Sequence, residues 1–142
     1  MTGFGFVYET RVRFSDLDAM RHVNNASFVR YLESARLAWW LDVTQRDGLD
    51  ALDMILARTE IDYRAPAFFG EAVRVGVRCA WLRRSSFGLE LRVEEQASGR
   101  LLAEAKKVCV FYDFEGQRSL PIPGRIRSQL EAREPGLQGG PA

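Results

Sequence analysis

The sequence predicts an α+β domain in which one long central helix is wrapped by a curved antiparallel sheet of about five strands. Three observations predict it. One stretch repeats apolar residues at helical spacing over several turns. Later stretches alternate with the two-residue period of strands. The turns between those strands are too short to hold crossover helices.

Residues 6–15 read as the first strand, with Val7, Glu9 and Arg11 alternating with Tyr8, Thr10 and Val12. Residues 16–24 follow as a loop. Asn24, Asn25 and Ser27 are all good N-cap types, so a helix is expected to begin there. Phe28, Tyr31, Leu32, Ala35 and Trp39 then fall at i, i+3, i+4, i+7 and i+11, which is one helical face. Arg30, Glu33, Arg36 and Asp42 lie off that stripe. The helix is expected from residue 25 to 46, with Gly48 as its stop, a rod of roughly 30 Å. Leu37, Ala38, Trp40 and Leu41 widen its apolar side, so it needs a sheet around it.

Residues 54–64 read as a strand ended by APAFFG. In 72–83, Val73, Val75, Val77, Cys79 and Trp81 alternate with Arg74, Gly76, Arg78 and Ala80. Arg83–Ser86 form a turn. Phe87, Leu89, Leu91 and Val93 then alternate with Gly88, Glu90, Arg92 and Glu94, and ASG at 97–99 turns again. A last long strand spans 101–114, where Val108 and Val110 oppose Lys107 and Cys109. Arg78, Arg92, Lys106 and Lys107 are expected on the wet face. A short helix at 124–133 closes a single domain over residues 1–133, and 134–142 read as a disordered tail. Consecutive short turns imply that the last four strands form an antiparallel meander.

With 142 residues, 46% of them hydrophobic and a net charge of +1, the chain suits one globular domain with no bulk affinity for nucleic acid. Trp39, Trp40, Phe68, Phe69 and Trp81 read as core and interface rather than base-stacking residues, since no basic face accompanies them. Cys79 and Cys109 read as buried free thiols in a reducing, cytoplasmic setting, with a disulfide as the alternative. One histidine and no close cysteine pair argue against a zinc site, and no metal or cofactor is expected. The chain shows no signal-peptide pattern and no apolar run long enough to span a membrane.

The chemistry concentrates in DLDAMRHVNNASFVRYLESAR, residues 16–36. This stretch resembles the signature D-x-D-x-x-G-H-V-N-N-x-x-Y of hotdog-fold acyl-CoA thioesterases of the 4-hydroxybenzoyl-CoA thioesterase type. IDYRAPAFFGEAVRV, WLRRSSFGLEL and AKKVCVFYDFEGQRSLPIP resemble later segments of the same family, so the likeness runs over residues 6–127. Two positions depart from it. Arg21 stands where glycine precedes the histidine, and Phe28 stands where tyrosine is common.

Thioester hydrolysis needs a base or nucleophile at the carbonyl carbon and hydrogen-bond donors at its oxygen. An aspartate at a strand end offers the first, and the unpaired N–H groups of a helix start offer the second. The resemblance implies that Asp18 is the catalytic carboxylate and that the polarising amide lies near Asn25, from different subunits of a dimer. Asp16 is the alternative carboxylate. His22 and Asn24 would shape the loop or orient water. Arg83, Arg84, Ser85 and Ser86 would hold the phosphates of coenzyme A, with Arg64 at the tunnel mouth. The resemblance also implies a homodimer with active sites at its interface, and a tetramer of two dimers.

Each residue has a plain reading beside the functional one. An aspartate or asparagine before a helix is usually a cap or an Asx-turn. A lone histidine is usually a hydrogen-bonded loop residue. Arg83–Ser86 make an ordinary solvated turn, and Glu33 and Arg36 suit an ion pair one turn apart. Two other functions share the fold: hydrolysis of acyl carrier protein thioesters, and acyl-thioester binding without catalysis.

Overall fold

The computed structural model describes residues 1–48 and 51–139. β1 (Phe6–Arg11) leads through a single 3-10 turn (Phe14–Asp16) to α1 (Asn25–Thr44). β2 (Met54–Tyr63), β3 (Ala72–Leu82), β4 (Ser86–Glu95) and β5 (Leu101–Asp113) follow, then β6 (Arg118–Ser119), α2 (Gly124–Arg133) and β7 (Gln138–Gly139). The long strands stand in the order β1-β3-β4-β5-β2, all antiparallel, with α1 against one face. A curved sheet about one helix is the hotdog fold expected above. Among the described residues no helix is long and apolar enough to cross a membrane.

The helix forms where its caps allow. Asn24 Oδ1 accepts the N–H groups of Ala26 (2.6 Å) and Ser27 (3.2 Å). The predicted stop at Gly48 gives way to an earlier one: Gln45 takes a left-handed conformation with φ 52°, and its N–H closes on Leu41. Phe28, Tyr31, Leu32, Ala35 and Trp39 are buried as the periodicity predicts, and Trp40 joins them. Trp40 stacks on Phe87 with ring centroids 5.4 Å apart, while its Nε1 donates to the Ala51 carbonyl and to Asp53 (both 3.0 Å). That gives the indole a polar partner without leaving the core.

The predicted first strand ends early, because after Arg11 the chain turns to place Asp16. The meander covers only β3, β4 and β5. β2 lies at the far edge beside β5 because residues 64–71 cross the end of the sheet. Arg64 and Ala65 donate to Leu102, Ala67 accepts from Val23, and Glu71 accepts from Val12. A bulge between Cys79 and Trp81 moves Leu82 into the core and lays the indole of Trp81 over Gly88. A Cβ at Gly88 would sit 2.0 Å from Trp81 Nε1, so only glycine fits. Within the expected tail, Gln138–Gly139 pair in parallel with Trp81–Leu82, and residues 140–142 lie outside the described residues.

Lys107 corrects the expectation of a wet face. It belongs to the inward set Ala103, Ala105, Lys107, Cys109 and Phe111 and is fully buried, whereas Lys106 is exposed. Its ammonium donates to Glu33 Oε1 (3.1 Å) and Thr59 Oγ1 (3.4 Å). Glu33 Oε2 accepts from Arg36, 2.6 Å away, and Arg36 reaches the Cys109 thiol at 3.9 Å. One carboxylate thus serves two buried cations. Burial alone would raise the Glu33 pKa, but Arg36 and Lys107 outweigh it and hold the carboxylate below its usual range. Cys79 and Cys109 are free, and burial pushes both thiols up, Cys79 to about 12.

Glu33→Gln leaves both cations without a counter-charge, whereas Lys107→Met leaves the Glu33–Arg36 pair intact. Urea denaturation is expected to show a loss of about 2–3 kcal/mol for Glu33→Gln, at the low end for a broken buried pair because Glu33 still reaches solvent. Lys107→Met is expected to cost less than about 1.5 kcal/mol. The reverse order would show that Lys107, not Glu33, organises the cluster.

Candidate active site

Asp16 fixes the local geometry. It is buried, and its Oδ2 accepts from the Tyr31 hydroxyl (2.6 Å) and the Arg13 N–H (2.9 Å). Its carbonyl accepts from the Asn24 N–H (3.0 Å) and the Ser27 hydroxyl (3.1 Å). These bonds join the end of the 3-10 turn to the first turn of α1. Burial alone would raise the Asp16 pKa. The hydrogen bonds from Tyr31 and Arg13, with the charges of Arg30 and Arg13, outweigh it and hold the carboxyl below its usual range. Tyr31 is raised in turn by burial and by the neighbouring carboxylate.

From this anchor a small hairpin projects. Leu17 bridges Val23, the Asp18 N–H donates to the His22 carbonyl (3.3 Å), and the Arg21 N–H donates to the Asp18 carbonyl (3.0 Å). Asp18 is exposed, and its Oδ1 accepts from the Met20 N–H (2.9 Å), an Asx-turn. Arg21, at the family's glycine position, adopts φ 66°, the left-handed residue that ends a tight hairpin loop. His22 is half-buried, with Nδ1 3.3 Å from the Val23 carbonyl.

Asn24 is the helix cap, and Asn25 is the first helical residue. The Asn25 N–H has no partner among the described residues, so it is an available donor at the positive end of the helix dipole. The Asn25 carbonyl accepts from the Tyr63 hydroxyl (3.2 Å), which brings the end of β2 beside the helix start. Asp18, His22, Asn24 and Asn25 therefore gather on one segment of one chain, at one end of the sheet.

The other sequence candidates lie elsewhere. Arg64 follows β2 at the same end, but its side chain pairs with Glu104 (3.2 Å) on the outer face. There it lines a charged groove of about 520 Å³ with Arg78, Glu90, Arg92 and Glu104. That groove has the volume of a ligand site but ion-paired walls, which suit an acyl chain poorly. The Arg83–Ser86 turn joins β3 to β4 at the opposite end of the sheet. Arg83 lies over the Trp81 ring (5.9 Å), and Arg127 donates to the Arg83 and Arg84 carbonyls. Among the described residues neither Arg83 nor Arg84 is ion-paired. Tyr31 and Tyr63 escaped the sequence reading. Tyr31 carried a signal: a phenol needing a partner on an otherwise apolar stripe, near the helix start.

Comparison with known proteins gives the family and the fold. Residues 12–130 match the family model of the thioesterase-like superfamily. The chain is 27% identical over 128 residues to the long-chain acyl-CoA thioesterase FadM of Escherichia coli (strain K12), covering 87% of this chain and 95% of that protein. A thioesterase of Thermus thermophilus, solved with coenzyme A and zinc, is 39% identical with a TM-score of 0.81, covering 94% of this chain and 97% of that one. A thioesterase superfamily structure from Jannaschia sp. CCS1 has a TM-score of 0.87 at 26% identity, covering 99% and 89%. Among the described residues no cluster of three His, Cys, Asp or Glu side chains is placed to hold a metal ion.

Two outcomes are expected from the anchor and the turn. The lowered Asp16 pKa contributes stability above the ordinary value near 3.8, and that stability is lost as pH falls through the folded value. Tyr31→Phe is expected to cost about 1–2 kcal/mol at neutral pH and to flatten the loss of stability below about pH 4, as read by urea titrations. Arg21→Gly relieves the left-handed strain and is expected to raise stability by about 0.5–1 kcal/mol. A destabilised Arg21→Gly would show that the arginine side chain, not its backbone, shapes the turn.

Proposed function

The chain belongs to the thioesterase-like superfamily, and on that premise we propose that it hydrolyses acyl-CoA thioesters to a carboxylic acid and free coenzyme A. The observation that carries this reading is the exposed Asp18 carboxylate on a hydrogen-bonded hairpin at the same end of the sheet as the Asn25 N–H, which has no partner among the described residues. Water adds to the thioester carbonyl while Asp18 takes its proton. The carbonyl oxygen becomes negative, and the Asn25 N–H stabilises it there. The C–S bond then breaks, and the sulfur leaves with the proton. Direct attack by Asp18 would instead give an acyl anhydride that water opens. Single turnover in ¹⁸O-water detects the anhydride route wherever water opens the anhydride at the aspartyl carbon, since label then enters Asp18, whereas general-base attack leaves Asp18 unlabelled.

His22 and Asn24 serve the site by position, Asn24 by starting the helix and His22 by closing the hairpin. The guanidinium groups of Arg83 and Arg84, which make no ion pair among the described residues, suit the phosphates of the nucleotide together with Ser85 and Ser86. They favour coenzyme A over acyl carrier protein, because phosphopantetheine is common to both and the nucleotide is not. A coenzyme A ester substrate fits a cytoplasmic enzyme. The active assembly is a homodimer that closes the site at its interface, and such dimers pair into a tetramer. Exposed Phe14, Met20 and Tyr63 around the hairpin and helix start provide apolar surface for that closure.

Asp18→Asn is expected to lower kcat at least about 100-fold with an unchanged fold and assembly. Near-normal turnover would exclude Asp18. Arg83→Ala/Arg84→Ala is expected to raise KM for a coenzyme A ester about tenfold while leaving the matching N-acetylcysteamine thioester unaffected. An equal effect on both esters would remove the turn from nucleotide binding.

A further inference from the structure

We infer that the Glu33–Arg36–Lys107 cluster is a specificity determinant: it ends the acyl site, limits the acyl group to about six to eight carbons and favours one that ends in a hydroxyl. This names the substrate class of the hydrolase reading above and rests on it. Two rows of side chains face each other between α1 and β2. On α1, Asn25, Val29 and Glu33 stand four residues apart, in line on one face. On β2, Tyr63, Ile61 and Thr59 share the inner side, paired with Ala103, Ala105 and Lys107 of β5. Hydrogen bonds tie the rows at both ends. Tyr63 donates to the Asn25 carbonyl (3.2 Å) at one, and Lys107 donates to Glu33 (3.1 Å) and Thr59 (3.4 Å) at the other. The two spans agree, since eight residues of helix rise about 12 Å and four residues of strand about 13 Å. Val29 and Ile61 therefore stand opposite each other midway.

The trough between these rows suits an acyl group. Its floor is made of small side chains, since Ala103 and Ala105 precede the larger Lys107, Cys109 and Phe111 on the inward side of β5. Its walls are apolar and open. Val29 is 38% exposed and Ile61 is half-buried, whereas Arg30 and Ser34, one step round the helix, give solvent a polar face. The trough begins at the Asn25 N–H, the donor proposed for the thioester carbonyl. An acyl group whose carbonyl meets that N–H runs along Val29 and Ile61 toward Glu33.

The far end of the trough is a charge. The Lys107 side chain is fully buried and that of Arg36 is 7% exposed, but that of Glu33 is 35% exposed. The cations thus lie behind the carboxylate, and the carboxylate meets the trough. A methyl end pressed against it strips water from a charged group and returns no hydrogen bond. A hydroxyl end donates to it. Each Glu33 oxygen accepts one bond among the described residues, Oε1 from Lys107 and Oε2 from Arg36, so each keeps a lone pair for a further donor. Helical side chains lean toward the N-terminus, so the Glu33 carboxylate stands closer to Asn25 than its own Cα, and the free length is that of about six to eight carbons.

A series of coenzyme A esters from acetyl to tetradecanoyl tests the limit. For the unaltered protein, kcat/KM is expected to fall at least about tenfold between octanoyl and dodecanoyl, and ω-hydroxyoctanoyl to exceed octanoyl at least about tenfold. Glu33→Leu/Arg36→Met/Lys107→Met makes the end of the trough apolar without leaving a lone buried charge, and is expected to remove both the fall and the hydroxyl preference. Val29→Phe, at an exposed position, narrows the trough midway and is expected to lower the octanoyl-to-acetyl ratio of kcat/KM at least about tenfold. That variant tests the trough even where the triple variant does not fold. Undiminished turnover of dodecanoyl and longer esters by the unaltered protein, or an unchanged ratio in Val29→Phe, overturns the acyl site and leaves the hydrolase reading standing. Equal rates on octanoyl and ω-hydroxyoctanoyl esters overturn the hydroxyl preference. Absence of turnover on every ester by the unaltered protein overturns the hydrolase reading and the acyl site with it.

Discussion

The hydrogen bonds of Asp16 are the constraint on which the site depends. A carboxylate buried at the end of a short 3-10 turn is costly unless its oxygens are met. Here Tyr31 and the Arg13 N–H meet the side chain, while Asn24 and Ser27 meet the carbonyl. Each partner lies on a different part of the strand-to-helix junction, so the junction has one low-energy arrangement. The groups proposed to react are held by that junction without spending their own hydrogen-bonding capacity on it. Asp18 keeps one carboxylate oxygen free of bonds within the described residues, and Asn25 keeps its N–H. Two aspartates two residues apart thus differ in use: the buried one holds the junction together, and the exposed one keeps the free oxygen on which the proposed reaction draws.

The same division recurs inside the sheet. Glu33 joins α1 to β5 through Lys107 and closes one helical turn through Arg36. Apolar packing of Trp39, Trp40 and Phe87 supplies most of the attraction between helix and sheet, since each large aromatic buries on the order of 150–250 Å². Such packing is weakly directional, however. A charged tie at one point along the rod fixes how far the helix slides along the strands, and so where its N-terminus stops relative to the hairpin. The cluster therefore bears on the site eight residues away from it, at a distance of about 12 Å along the helix.

Much of this was legible in the sequence. The helical stripe from Phe28 to Trp39 and the alternation in β3 and β4 place core residues by periodicity alone, because burial on one face leaves no other solution. The loop position of Asp18 and the helix start at Asn25 were legible because their motif is contiguous. Three features were not. The place of β2 depends on where residues 64–71 cross the sheet, which local pattern does not encode. Lys107 looks like a wet-face residue because a buried ammonium is unusual, and its partner Glu33 lies 74 positions earlier in the chain. Asp16 looked like the lesser of two carboxylates, since nothing local announces that Tyr31 will fold back onto it.

Arg21 shows how the constraint and the departure from the family pattern fit together. A left-handed backbone costs a non-glycine residue roughly 1–2 kcal/mol, and such strain survives only where the surroundings over-determine it. The surroundings here are the Leu17–Val23 bridge, the Asp18–His22 and Arg21–Asp18 backbone bonds, and the Asp16 anchor behind them. The turn is thus dictated by its base rather than by its tip. That is why an arginine can occupy the glycine position without unmaking the hairpin. The substitution spares the backbone that presents Asp18 and changes only what stands beside it, an exposed positive charge next to the carboxylate-bearing turn. For the coenzyme A ester proposed as substrate, that charge is a favourable field at the turn, so the substitution bears on encounter rather than on the backbone that presents Asp18.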